Sequence, residues 1–161
     1  MKRLAIAAAL LAIVLAGCST DAEPPQAASA VTVHDVWVKA ADHGMTAAFG
    51  HLHNDSDQQV RILSATTPVA HRVELHEVVS DGSGAMKMQQ KLGGFALAAH
   101  SDTELAPGAD HLMLMDLTTE LIPGSDVEIT VTFDDGSTLP ISAQVRDFEG
   151  ADEHYDPGSH G

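Results

Sequence analysis

Arg72-Val73-Glu74-Leu75-His76-Glu77-Val78-Val79 alternates between two faces, then stops at Asp81-Gly82-Ser83-Gly84 and is answered by Met86-Lys87-Met88. A period of two puts Val73 and Leu75 on one face and Glu74 and His76 on the other, the pattern of a half-buried strand. A glycine-rich loop between two such runs is hairpin chemistry. The same pattern extends in both directions. Upstream, Val31-Thr32-Val33 and Val36-Trp37-Val38 are the first strands, Thr46–His53 is a second candidate, and Val60-Arg61-Ile62-Leu63 follows the polar turn Asn54-Asp55-Ser56-Asp57. Downstream, residues 93–110 read as a loop that ends in the turn Leu105-Ala106-Pro107-Gly108. Leu112 and Leu114 then share one face, with His111, Met113 and Met115 on the other. Pro123-Gly124 turns the chain into Val127–Phe133, and Asp135-Gly136 signals a tight hairpin before Leu139–Val145. No segment sustains a long helical apolar stripe. Evenly spaced short strands predict an all-β domain, a β-sandwich with Greek-key connections.

The amino terminus is of a different kind. Met1-Lys2-Arg3 precedes an apolar run from Leu4 to Leu15, which reads as an export signal too short for a comfortable membrane span. The run closes on Leu15-Ala16-Gly17-Cys18, which resembles a bacterial lipobox. That resemblance implies cleavage before Cys18 and lipid on its sulfur, hence an exported protein held at a membrane on its extracytoplasmic face, in the periplasm or at the cell surface. Small residues directly before the only cysteine favour this over an ordinary signal peptide. The organisation expected is a signal peptide at 1–17, a lipidated cysteine and flexible linker at 18–30, a β-domain at 31–148 and an acidic tail at 149–161. The linker lacks an apolar period and contains Pro24-Pro25.

Loss of Lys2 and Arg3 with the signal takes the formal charge from −15 to −17, against 23 acidic residues. Such a chain repels phosphate, which argues against a nucleic-acid partner. It favours a cation or a basic protein surface. With a single cysteine, an internal disulfide is impossible.

His76, Met88, His111 and Met113 carry the chemistry. His111 and Met113 sit two apart on one strand face, His76 leaves the core face of its strand, and the glycine loop can fold Met88 back towards His76. The four are expected to meet on one outer face or edge of the sandwich. Imidazole and thioether form a ligand set for a soft ion, and Cu(I) fits best. Neither thioether loses a proton on binding, so pH dependence is expected from the imidazoles, below about pH 6.5. Each residue alone has a plain structural explanation: methionine fills cores, and histidine decorates surfaces. Met115 is read as core filler. Met86 is a rival to Met88 as the second ligand.

Other signals are weaker. His51-Leu52-His53 is a surface pair that lacks a third ligand. His154 and His160 lie in the tail, and nothing fixes the geometry of His34 or His43. A blue-copper centre needs a cysteine ligand, and Cys18 is in the lipobox. No nucleophile elbow, phosphate loop or zinc-protease helix is present, so no enzymatic activity is expected.

At Val73-Glu-Leu-His76-Glu, Met86-Lys-Met88 and His111-Leu-Met113-Leu-Met115-Asp-Leu117 the chain resembles the periplasmic copper chaperones often called the PCu(A)C family. Leu121–Phe133 and Ser64–Ala70 are similar to the family as well, so the resemblance covers about residues 31–147. It implies a cupredoxin-like Greek-key barrel or sandwich, Cu(I) bound by His76, Met88, His111 and Met113, and copper delivery to the binuclear CuA centre of respiratory cytochrome c oxidase. An oxidase subunit or another copper chaperone would be the acceptor. Both long spacings exceed the family pattern by one residue, and Asp110 ahead of His111 is unusual. The alternatives are a copper-buffering lipoprotein that serves resistance, and an Ig-like binding module whose His and Met are incidental.

Overall fold

The computed structural model describes residues 26–80, 82 and 84–150. The segment read as an export signal, Cys18, Pro24-Pro25 and the tail histidines His154 and His160 lie outside them. The described chain is nearly all β, with ten strands: β1 (Val31–Lys39), β2 (Thr46–Asn54), β3 (Val60–Thr66), β4 (Ala70–Ser80), β5 (Met86–Gln90), β6 (Phe95–Leu97), β7 (Ser101–Leu105), β8 (His111–Leu117), β9 (Asp126–Phe133) and β10 (Thr138–Arg146).

Seven strands form a closed cupredoxin-like barrel in the order β4-β8-β2-β1-β10-β9-β3, and the Ala65–Val73 pair between β3 and β4 completes the ring. β1 runs parallel to β10, while the other pairs are antiparallel. A parallel neighbour cannot be reached by a hairpin, so the chain crosses over, as a Greek key requires. β5 extends the sheet beyond β4, β6 attaches to β3, and β7 pairs with the second half of β2.

Period-two patterning fills the barrel. Val127, Ile129, Val131 and Phe133 of β9 point inward, as do Ile141, Ala143 and Val145 of β10. They meet Val38, Leu52, Ile62, Leu75, Phe95, Leu112 and Leu114 in the main core. Truncating one of these large side chains to alanine costs about 2–5 kcal/mol through lost burial and the cavity left behind.

Three expectations change. The first two strand candidates are one strand, β1, kinked by a bulge between His34 and Trp37, where Asp35 takes φ 49°. The stretch read as a loop at 93–110 holds β6 and β7. Its alternating signal is hidden because Ser101-Asp-Thr-Glu104 is polar and buries only Leu105. Gly94 makes the entry to β6 possible: at φ 70°, a Cβ there would lie 2.2 Å from the Ile62 carbonyl oxygen. Finally, Ala27–Ala30, assigned to the linker, forms one helical turn held to the domain. The Ala27 amide donates to Asp135 Oδ2 (2.7 Å), the Ala28 amide donates to Ser137 Oγ (3.0 Å), and Ala27 is buried.

Candidate metal centre

The site face is set by register. On β4 the residues Arg72, Glu74, His76 and Val78 point away from the main core. His76 lies directly across from His111 of β8, Glu74 across from Met113, and Arg72 across from Met115. On the other side of β4, Val78 lies across from Met88. On β2, Ala47 pairs with Met113, and Phe49 pairs with Trp37 of β1. One face of β5-β4-β8-β2-β1 therefore carries, side by side, Met88, His76, His111, Phe49 and Trp37.

That face is not an exposed surface. Met88, Met113, Met115, Ala47 and Phe49 form a second apolar cluster with Trp37 packed against it, separate from the main core. His76 is fully buried, and His111, Met88 and Met113 are between 2 and 6 % exposed. The sulfurs lie in this small cluster, with no leucine among its members. His111 Nε2 and Met88 Sδ are 3.0 Å apart. The two imidazole centroids are 5.6 Å apart at 65°, edge to face. The Phe49 ring lies 6.0 Å from His111 and 4.6 Å from Trp37, and Trp37 in turn meets Phe148 at 5.2 Å.

Hydrogen bonds select the tautomers. Nδ1–H of His111 donates to the Ala109 carbonyl (2.9 Å), which leaves the lone pair on Nε2, the nitrogen facing Met88. Nε2–H of His76 donates to Glu74 Oε2 (2.8 Å), which places its lone pair on the buried Nδ1. An acceptor on the far nitrogen of an imidazole is the usual device for aiming the other nitrogen at a metal. Glu74 is itself buried, and its other oxygen accepts from Arg72 Nε (2.9 Å); Arg72 also pairs with Asp116. Burial pushes the Glu74 pKa up, but hydrogen bonds from Arg72 and His76, with the positive charge of Arg72, outweigh it and hold it below the ordinary value. Glu74 was not picked out from the sequence, although its position two residues before His76 on one strand face was the available signal.

Asp110, the unusual neighbour of His111, is neutralised. Lys91 Nζ donates to both of its oxygens (2.7 and 3.0 Å) and lies 3.5 Å from Glu77. Desolvation lowers the Lys91 pKa, but Asp110 and then Glu77 more than offset it, so the net shift is upward.

Met86 and Met88 part company in the structure. Met88 is 3 % exposed and touches His111, whereas Met86 is 54 % exposed on the same face. His53 is held by Asp102 (2.8 Å) and Asp55 (3.3 Å), and its neighbour His51 is exposed, across from His34 on β1. His43 is exposed in the β1–β2 connection. Among the described residues, no group of three or more His, Cys, Asp or Glu is arranged to hold a metal ion. The donors on the buried face are therefore imidazole nitrogens beside thioether sulfurs. Two imidazole lone pairs and two thioethers in a dry cluster fit a soft monovalent cation better than Zn²⁺ or Ca²⁺, which favour harder donors.

Comparison with known proteins gives a family and a fold. Residues 31–145 match the family described as "Putative lipoprotein LpqE-like". The chain is 40 % identical over 160 residues to "Putative lipoprotein Lxx21020" of Leifsonia xyli subsp. xyli, covering 96 % of this chain and 95 % of that one. Among solved structures it is similar to the copper-bound PCuAC domain from PmoF2 (TM-score 0.62, 19 % identity, covering 76 % of this chain and 97 % of that domain), a likeness of fold. It is also similar to the solution structure of CuI-DR1885 from Deinococcus radiodurans (TM-score 0.57, 32 % identity, covering 76 % of this chain and 84 % of that one).

Proposed function

The chain belongs to the LpqE-like lipoprotein family, and from that premise we propose that it is an exported, lipid-anchored carrier of Cu(I) that hands its ion to an extracytoplasmic acceptor. The ligands are His76, Met88, His111 and Met113, and Cys18 is the lipid attachment point. The carrying observation is the 3.0 Å approach of His111 Nε2 to Met88 Sδ inside a buried methionine-aromatic cluster. The 32 % identity to a protein solved with CuI supports the same reading.

Four neutral donors give the bound ion no compensating charge. Affinity then comes from soft-donor bonding and from exclusion of water, and Cu(II), which prefers harder donors, is discriminated against. Glu74 supplies a nearby negative charge without occupying a ligand position, since its oxygens are engaged by His76 and Arg72. The absence of thiolate ligands keeps the ion exchangeable: an acceptor that offers cysteine sulfur binds Cu(I) more strongly and draws it away. The CuA centre of cytochrome c oxidase is the acceptor we assign, reached directly or through another copper chaperone. The 23 acidic residues suit a basic docking surface on that acceptor.

Anaerobic titration of Cu(I) against a competing chelator tests the binding. We expect one tight equivalent in the wild type and a loss of orders of magnitude in H111A and M113A, with folding retained. Equal binding by wild type and the double variant would leave a metal-free binding module. A deletion strain tests delivery: loss of oxidase activity at low copper supports it, whereas sensitivity only at high copper points to buffering.

A further inference from the structure

The chain has six methionines, and all but Met1 carry the parity of one sheet face. Met86 and Met88 alternate along β5 on the side of His76. Met113 and Met115 lie across from Glu74 and Arg72, and Met45 precedes β2 with the parity of Ala47 and Phe49. Three of them are buried, while Met86 and Met45 are 54 % and 44 % exposed.

We propose that Met86 is the exchange ligand of the site: a solvent-facing thioether through which Cu(I) enters the buried quartet and is passed to the acceptor. This rests on the Cu(I) reading above and extends it. The four donors are at most 6 % exposed, so an incoming ligand has no direct line to the ion. Met86 is two residues from Met88 on one face of one strand, a Cα separation of about 7 Å. Two unbranched thioether side chains span that gap easily. β5 ends the strand order, so among the described strands its outer edge is unpaired and open to approach. Packing does not account for Met86, because a side chain more than half exposed adds little to either apolar cluster.

The step conserves charge and oxidation state. A Cu–Sδ bond to Met86 forms as the Cu–Sδ bond to Met88 breaks. A soft donor of the acceptor then takes the ion as the remaining imidazole and thioether bonds open. Copper stays Cu(I) throughout, and no proton leaves either methionine.

The test is stopped-flow transfer of Cu(I) from the loaded full-length protein to bicinchoninate without oxygen, alongside equilibrium competition. Leucine replaces methionine to keep bulk and remove sulfur. M86L is expected to keep the wild-type dissociation constant and to transfer about tenfold more slowly in both directions, a barrier increase of about 1.4 kcal/mol. M45L, which removes the other exposed thioether, should change neither quantity, and M88L should lose affinity. An M86L transfer rate equal to wild type overturns the proposal while leaving the Cu(I) site intact. An affinity loss matching M88L also overturns it, by making Met86 an ordinary ligand. Failure of the wild type to bind Cu(I) overturns the site and the exchange role together.

Discussion

Met88 and His111 touch across an intervening strand. Met88 is on β5, His111 is on β8, and β4 runs between them, yet Sδ and Nε2 are 3.0 Å apart. The contact is diagonal: Met88 lies across from Val78 and His111 across from His76, so the two side chains reach over β4 towards His76. Two atoms from non-adjacent strands are thus brought together over a third, a contact that no single hairpin could supply.

Replacing Met88 separates packing from ligation. Met88→Leu conserves volume in the second cluster and should cost less than about 1.5 kcal/mol in the metal-free protein. Met88→Ala should cost about 2–5 kcal/mol, because it opens a cavity. Both should lose Cu(I) affinity by similar, large factors, since both remove the sulfur. Urea unfolding of the metal-free variants, together with chelator competition, reads the two effects separately.

This division also shows how far the sequence could be read. The alternation in Arg72–Val79 and Val127–Phe133 fixes an all-β domain and places His76 off the main core face, because period two allows no other reading for a one-sided strand. What alternation cannot show is whether the other face is wet. Here it is dry, because Phe49 and Trp37 from β2 and β1 close over the same surface, a contact set by register between distant strands. Met115, read as core filler, is indeed buried, but in this second cluster beside Met113. The polar β7 was missed because its pairing with β2 is carried by backbone hydrogen bonds and needs little apolar signal. Met88 is preferred to its rival Met86 from the Met-x-Met pattern of the resembled family, whereas the difference in burial between the two comes from packing that the spacing does not reveal.

Trp37 should report loading. It is the only tryptophan, its ring meets Phe49 at 4.6 Å, and Phe49 lies 6.0 Å from His111. An ion that reorients His111 repacks this row. Trp emission should change with added Cu(I) and stop changing at one equivalent. His111→Ala should abolish the change, and a flat emission trace in a protein shown to hold copper would mean that the aromatic row is uncoupled from the site.

His53 gives a pH response away from the site. Its hydrogen bond to Asp102 raises the imidazole pKa above the usual 6.5, and the charges of Asp102 and Asp55 add to this against a desolvation that lowers it. A raised folded-state value means that the contribution to stability is fully present below about pH 6.5 and is lost as pH rises through the folded value. Asp102→Asn should lower the His53 pKa in an NMR titration and flatten that part of the stability profile. Because the pair is on the surface, Cu(I) affinity should not respond.

Glu74 should act on both stability and copper. Its carboxylate lies between Arg72 Nε and His76 Nε2, and Gln cannot accept from both with full charge. Hydrogen bonds to a charged group contribute about 1.5–3 kcal/mol, so Glu74→Gln should destabilise the metal-free protein by an amount in that range. The held-down pKa of Glu74 works in the acid direction: its contribution is present above the unfolded value of about 4.3 and is lost as pH falls through the folded value. The acid limb of the stability profile should therefore be shallower in the variant. With Arg72 held by the amide oxygen, the Gln NH2 faces His76 Nε2 and donates to it, which moves the His76 proton to Nδ1, the nitrogen assigned to the metal. Disrupting such a partner typically costs about 10–100-fold in metal affinity, and Glu74→Gln should show a loss of that size in chelator competition. A variant less stable by the expected amount but unchanged in Cu(I) affinity would reduce Glu74 to a structural anchor and remove the tautomer argument for Nδ1 of His76.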